Sequence, residues 1–179
     1  MKKLSLEELG RVSVDEFKEV AKLPVCIVLD NVRSLHNVGS AFRTSDAFRL
    51  EKIYLTGITG KPPHREIEKT ALGATLSVDW EYEQETATLL KRLRGSGYTI
   101  VVVEQTTESQ SLEKFSVQPG KKYCLVFGNE VHGVRDDAIA IADAGLEIPQ
   151  HGTKHSLNIS VCLGVVAWEF FRQSMRQGQ

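Results

Sequence analysis

Residues 24–48 read PVCIVLDNVRSLHNVGSAFRTSDAF. From Val25 to Leu29 the run is apolar without alternation, and it lies between Pro24 and the turn-forming pair Asp30-Asn31. A short unbroken apolar run bounded in this way predicts a strand covered on both faces. Val38–Phe48 then carries a helical pattern. A strand that feeds a helix is the unit of an α/β fold. The same alternation continues along the chain. Strands are predicted at Lys52–Thr56, Leu76–Trp80, Tyr98–Glu104, Tyr123–Phe127 and Leu146–Ile148, and helices at Arg65–Leu72, Glu85–Arg94, Asp136–Ala142 and Ser156–Ser174. The expected architecture is a mostly parallel sheet with helices on both faces. Ser5-x-x-Glu8 and Ser13-x-x-Glu16 are capping boxes, each pairing a hydroxyl with an orphan N–H and a returning carboxylate, and they predict two short helices. Residues 1–24 are thus an N-terminal helical extension, and residues 25–179 the main domain.

With 179 residues, 41% hydrophobic and 25% charged, the chain has the size and balance of one globular domain. That composition excludes collagen, coiled coil and intrinsic disorder. The longest apolar-type run, Ile159–Trp168, falls short of the roughly 20 residues that a membrane span requires. MKKLSLEELG carries acids where a secretory leader needs an apolar stretch. Cys26, Cys124 and Cys162 each sit inside an apolar run, and an odd count argues for reduced thiols. The expectation is a cytoplasmic protein without a membrane partner. Net charge is −1, so no globally basic nucleic-acid binder is announced. Residues 31–73 nevertheless hold seven Lys/Arg against four acids, which is either a basic face or ordinary solvated surface.

In an open parallel sheet, ligands bind beyond the carboxyl ends of the strands, so the loops after Leu29, Phe127 and Ile148 carry the chemistry. The first holds Asn37, an N-cap candidate, then Gly39 and Arg43; an Arg near a helix N-terminus attracts phosphate. On its own this loop is also an ordinary capped helix. The second, Gly128-Asn129-Glu130-Val131-His132-Gly133, is neither a dinucleotide fingerprint nor a P-loop, and on its own reads equally as a turn. The third runs from Ile148 to Ser160. Ser156 is its natural cap, and Asn158 and Ser160 are polar at the head of a helix apolar nearly all round, which needs burial in a core or interface. His151 and His155 are four apart, but with no CxxC and no nearby acidic cluster no metal site is expected.

Together the three loops resemble the SpoU family of RNA ribose 2'-O-methyltransferases, in the SPOUT class. LDNVRSLHNVGSAFRTSDAF matches the family's first motif at Asn37, Gly39 and Arg43. LVFGNEVHGV matches the second at Gly128, Glu130 and Gly133, and IPQHGTKHSLNISVCLGVVAWE the third at Ile148, Pro149, Gly152, Ser156, Leu157, Asn158 and Ser160. Lys69–Ala74 resembles the segment usual between the first two motifs. Gln150 stands where the family often has Met. The resemblance spans about residues 25–172 and implies a C-terminal deep trefoil knot, a homodimer whose sites are completed by the partner, and S-adenosylmethionine as cofactor.

The implied reaction moves a methyl group to a ribose 2'-hydroxyl. The resemblance makes Arg43, Asn37, Glu130, Ser156 and Asn158 the catalytic set, and Phe127, Gly128, Ile148, Gln150 and Leu157 the cofactor contacts. A guanidinium has a pKa above ~12 and does not serve as a base, so Arg43 is expected to grip the phosphate beside the target ribose while water or phosphate takes the proton. Arg33, His36, Arg65 and Lys69 are candidate RNA phosphate contacts. The chain has about 22 residues before the first strand, which tilts the expected substrate toward tRNA over rRNA. The alternatives are a SPOUT base methyltransferase and an inactive knotted RNA-binding protein. A flavodoxin-like nucleotide-binding module lacks the phosphate loop it would need.

Overall fold

A computed structural model describes residues 1–5 and 8–177. Helix α1 (Val14–Glu19) starts at Ser13, whose hydroxyl accepts the Glu16 N–H at 3.2 Å while the Glu16 carboxylate accepts the Ser13 N–H at 2.7 Å. Buried Phe17 anchors it to the core. Ser5 and Glu8 make the same reciprocal bonds at 2.6 and 3.3 Å. The helix expected there runs across residues 6 and 7, outside the described residues, and residues 8–10 form a turn.

The remaining elements are β1 (Leu23–Asp30), α2 (Leu35–Ala47), β2 (Leu50–Thr56), α3 (Arg65–Ala71), α4 (Ala74–Ser77), β3 (Trp80–Glu83), α5 (Thr86–Gly95), β4 (Tyr98–Val103), β5 (Gln110–Ser111), a 3₁₀ turn at Leu112–Lys114, β6 (Lys122–Phe127), α6 (Asp136–Ile139), β7 (Ala144–Glu147) and α7 (Ile159–Gln177). The seven strands form one sheet in the order β3-β2-β1-β6-β4-β7-β5, and every ladder is parallel.

Both faces are covered, which is why the strands read as unbroken apolar runs. Ile27, Leu29, Leu125 and Phe127 face one core, shared with Phe42 of α2 and Phe170 of α7. Cys26, Val28, Cys124 and Val126 face the other, under Leu89, Leu90 and Leu93 of α5 and Ala138 of α6. The chain leaves β1 through α2 for β2 on one side and leaves β6 through α6 for β7 on the other. The loops after these neighbouring strands diverge and open a crevice, the position where open α/β sheets bind ligands.

Several expectations need correction. Helix α2 starts three residues early, because Ser34, not Asn37, accepts the first-turn N–H: its hydroxyl takes the Asn37 N–H at 3.3 Å. Asn37 sits inside the first turn, and its side chain is free for other partners. Ser156 does not cap α7, because Asn158 holds that place and accepts the Ser160 N–H at 2.9 Å. The predicted strand Leu76–Trp80 splits into the helical turn α4 and the later strand β3, because Gly73 (φ +89°) turns the chain and Ser77 bonds back to Ala74 O. Strand β7 begins two residues before the predicted Leu146 and ends at Glu147. Helix α7 is apolar but not wholly buried: Leu163, Val166, Ala167 and Phe170 face the core, whereas Val161, Val165 and Trp168 are exposed.

Candidate functional site

The loop after β1 and the loop after β6 meet through one carboxylate. Glu130 accepts the backbone N–H groups of Arg33 and Ser34 at 2.9 and 3.0 Å and the Asn37 side-chain amide at 3.0 Å. Asn37 Oδ1 in turn accepts Asn158 Nδ2 at 3.3 Å, which brings in the third loop. Burial pushes the Glu130 carboxyl up, but these three donors outweigh it and hold it below its usual value of 4.5. Glu130 is therefore a carboxylate near neutral pH, fully committed as an acceptor. It can tie loops together and orient Asn37, but it is not poised to shuttle a proton.

The loop from Gly128 to Val134 is closed and pinned. Asn129 and Gly133 exchange backbone bonds of 2.9 Å each. A Cβ on Gly128 would collide with the backbone of Gly133 and Val134, so only glycine allows this closure. The Asn129 amide donates to Asn31 O at 2.7 Å, and its oxygen takes the N–H groups of Val131 and His132 at 2.9 and 3.1 Å. Glu104, at the end of β4, accepts the Val134 N–H at 3.0 Å. Asp30, fully buried, accepts the Arg135 N–H at 3.1 Å, Thr86 Oγ1 at 2.6 Å and Asn31 Nδ2 at 2.8 Å. A buried carboxylate is tolerable only with such partners.

Beside this loop, over the ends of β4, β6 and β7, lies a cavity of about 630 Å³, within the roughly 300–1,000 Å³ usual for small-molecule sites. Phe127, Gly128, Ile148, Gln150 and Leu157, the expected cofactor contacts, all line it. Glu130, Ser156 and Asn158 line it too, whereas Asn37 reaches it only through its bonds to Glu130 and Asn158. Among the described residues, the backbone N–H groups from Gln150 to Leu157 have no protein acceptor; the segment is tied to β4's loop by the Gln105 amide on His155 O at 2.8 Å. The cavity thus places apolar Phe127, Leu146, Ile148 and Ile159 beside Gln150, Ser156 and Leu157, whose backbone N–H groups have no protein acceptor among the described residues. Cys162 also lines it, its thiol pushed up to about 11 by burial and then by the Glu104 charge, so it is a neutral side chain there.

Arg43 does not line this cavity. It is exposed on α2, and no hydrogen bond or ion pair engages it among the described residues. Of the basic candidates, Arg33 and Arg65 are exposed and have no side-chain partner among the described residues, whereas His36 and Lys69 both hold Glu66, at 2.9 and 2.7 Å. Those two pairs, Lys69 first, keep the Glu66 carboxyl below its usual value. The sequence reading missed Glu104, Asn129, Asp30 and Asn31. Asp30-Asn31 was legible only as a turn, and a carboxylate at a strand end gives no signal of the loop it will pin.

The SpoU rRNA Methylase family matches residues 24–168 of this chain. A tRNA (guanosine(18)-2'-O)-methyltransferase of Thermus thermophilus is 26% identical over 171 residues, covering 96% of this chain and 86% of that protein. The crystal structure of the Aquifex aeolicus TrmH/SpoU tRNA modifying enzyme matches with a TM-score of 0.82 and 30% identity, over 92% of this chain and 82% of that one. The AdoMet-bound rRNA methyltransferase from Sinorhizobium meliloti matches with a TM-score of 0.78 and 25% identity, over 87% of this chain and 59% of that one.

Proposed function

The chain belongs to the SpoU rRNA methylase family, and from that membership we propose that its substrate is a tRNA, that it works as a homodimer, and that its C-terminal segment is knotted. Its reaction is the S-adenosylmethionine-dependent methylation of a ribose 2'-hydroxyl in RNA. The observation that carries the site assignment is the Glu130–Asn37–Asn158 chain of hydrogen bonds, which gathers all three motif loops at the rim of the 630 Å³ cavity. The cavity's size, apolar side chains and free backbone donors fit the cofactor, and Phe127, Gly128, Ile148, Gln150 and Leu157 would hold it. When bound, it supplies an electrophilic methyl group on a sulfonium. The protein then has to place the ribose oxygen in line, and such positioning is worth roughly 7–11 kcal/mol in good cases.

Glu130 fixes Asn37 and the loop backbone at Arg33-Ser34; Asn158 and Ser156 shape the rim. Arg43 lies on the outside of its own chain and reaches the cavity of a second copy. There its fork of donors grips the phosphate next to the target ribose and offsets charge developing on the oxygen, while water or that phosphate accepts the proton. Arg33, His36, Arg65 and Lys69 form the wider RNA face. Residues 25–179 are the methyltransferase domain, and residues 1–24 its helical extension.

The homodimer reading is supported by the stripe of exposed Val161, Val165 and Trp168 on α7, which a second copy covers. The knot is supported by the strand order. β4 and β5 are consecutive in the chain, yet β7 lies between them, and α7 then packs beneath Phe115 of the connection that leads on to β6. The preference for tRNA is supported by the activity of the Thermus relative. No helix among the described residues is long and apolar enough to cross a membrane; free Cys26, Cys124 and Cys162 support a reducing, cytoplasmic setting.

The test is incubation with methyl-labelled S-adenosylmethionine and unmodified tRNA or rRNA, followed by nucleoside analysis. A labelled 2'-O-methylnucleoside is expected, from tRNA. A base-methylated nucleoside overturns the ribose assignment, and RNA binding without transfer overturns the enzyme.

A further inference from the structure

A second cavity, of about 650 Å³, lies on the opposite side of the Gly128–Val134 loop. Asn129, His132, Gly133, Val134 and Asp136 line both cavities, so the loop is a partition between them. We propose that this second cavity receives the base of the nucleotide whose ribose is methylated, and that it selects guanine. The proposal rests on RNA being the substrate.

Three features of the lining carry it. Ile58 is a large apolar side chain 67% exposed, and it is held rather than loose. Its N–H donates to Asn31 Oδ1 at 3.2 Å, and a Cβ on neighbouring Gly57 would collide with that same amide. The His132 ring makes no hydrogen bond among the described residues, although its backbone N–H is fixed on Asn129 Oδ1 at 3.1 Å. An apolar surface and an imidazole, both on pinned loops, offer the stacking contact on which proteins take up unstacked bases.

The polar groups set the preference. The amides of Asn31 and Asn129 are already bonded within the fold, and the Arg135 guanidinium is paired with Asp137 at 3.1 and 2.8 Å. Asp136 is left as the lining carboxylate with no hydrogen bond or ion pair among the described residues. A carboxylate matches an edge with two adjacent donors, which guanine presents at N1 and N2. Adenine and cytosine place a ring acceptor beside their amino group, and uracil flanks its single donor with carbonyls.

The experiment compares the wild-type protein with Ile58→Glu, which touches only the second cavity, and with Asp136→Asn. The readouts are KM and kcat for RNA, Kd for S-adenosylmethionine and the thermal midpoint. Ile58→Glu is expected to raise KM for RNA on the order of tenfold, with cofactor affinity and midpoint unchanged because Ile58 is exposed. Replacing the methylated guanosine by inosine, which lacks the 2-amino group, is expected to slow the wild type and to matter less in Asp136→Asn. Unchanged RNA kinetics in Ile58→Glu overturn the proposal, and an inosine effect equal in both proteins overturns the guanine contact. If the wild type transfers no methyl group at all, the enzymatic reading has failed instead. RNA affinity by fluorescence anisotropy then decides for the cavity: weaker binding by Ile58→Glu supports it, and equal binding overturns it.

Discussion

Glu130 does its work as an acceptor. Its two oxygens hold Arg33 N–H, Ser34 N–H and the Asn37 amide, so Glu130→Ala strands three donors and frees two loops at once. The expected result is a large loss of methyl transfer with the fold retained, read by activity alongside circular dichroism. The pH dependence has a definite sign. The folded carboxyl titrates below its usual value of 4.5, so this contribution to stability is complete above about pH 4.5 and fades as pH falls through the lower folded value. Thermal midpoints of Glu130→Gln are expected to lack that part of the acid sensitivity. Arg43→Lys keeps the charge and loses the fork, and a rate well below wild type is expected; a near wild-type rate contradicts the phosphate clamp. At this scale the sequence singled out Asn37, Glu130 and Asn158, which the structure joins by hydrogen bonds. It was silent on Glu104 and Asp30, because a carboxylate that accepts backbone N–H groups from a distant loop leaves no local pattern.

Helices α2 and α3 touch where Gly39 faces Thr70 Oγ1 and the Ile67 carbonyl, and a Cβ at Gly39 would collide with both. Gly39→Ala must push α3 aside, and with it Glu66 and Lys69, away from His36 on α2, so destabilisation of about 1–3 kcal/mol is expected in denaturant unfolding. Ser34→Ala removes the α2 cap and is expected to cost about 1 kcal/mol, in contrast to Asn37→Ala, whose larger effect falls on activity. The sequence marked Asn37 as the cap candidate, and nothing local pointed to Ser34, which holds that place. The choice was made by Glu130, 93 residues from Asn37. In the same way Leu76–Trp80 looked like a strand because Leu76, Val78 and Trp80 are apolar, but the turn at Gly73 and the short connection to β3 left room for one helical turn only.

At the scale of the molecule, the parallel sheet was legible because every central strand is covered on both faces, whereas the strand order was not, since periodicity carries no information on which strands become neighbours. The exposed α7 stripe leads to a mixing experiment. Arg43→Ala and Glu130→Ala are each expected to be inactive. If Arg43 of one copy serves the cavity of the other, mixing the two under exchange conditions restores roughly one quarter of wild-type activity, since half the dimers are mixed and each has one intact site. No recovery despite verified exchange places Arg43 and Glu130 at one chain's own site. Trp168→Glu is expected to shift sedimentation toward monomer.

The position of β7 bears on how the protein is made. β5 pairs with β7 and β4 pairs with β7, but β4 and β5 do not pair with each other. A nascent chain on the ribosome therefore carries an open slot, with β5 unmoored, until Ala144–Glu147 has been translated and released from the exit tunnel. Folding of this half is necessarily late, and stalled chains ending before Ala144 are expected to be cut by protease in the Thr106–Lys121 segment, which full-length chains protect.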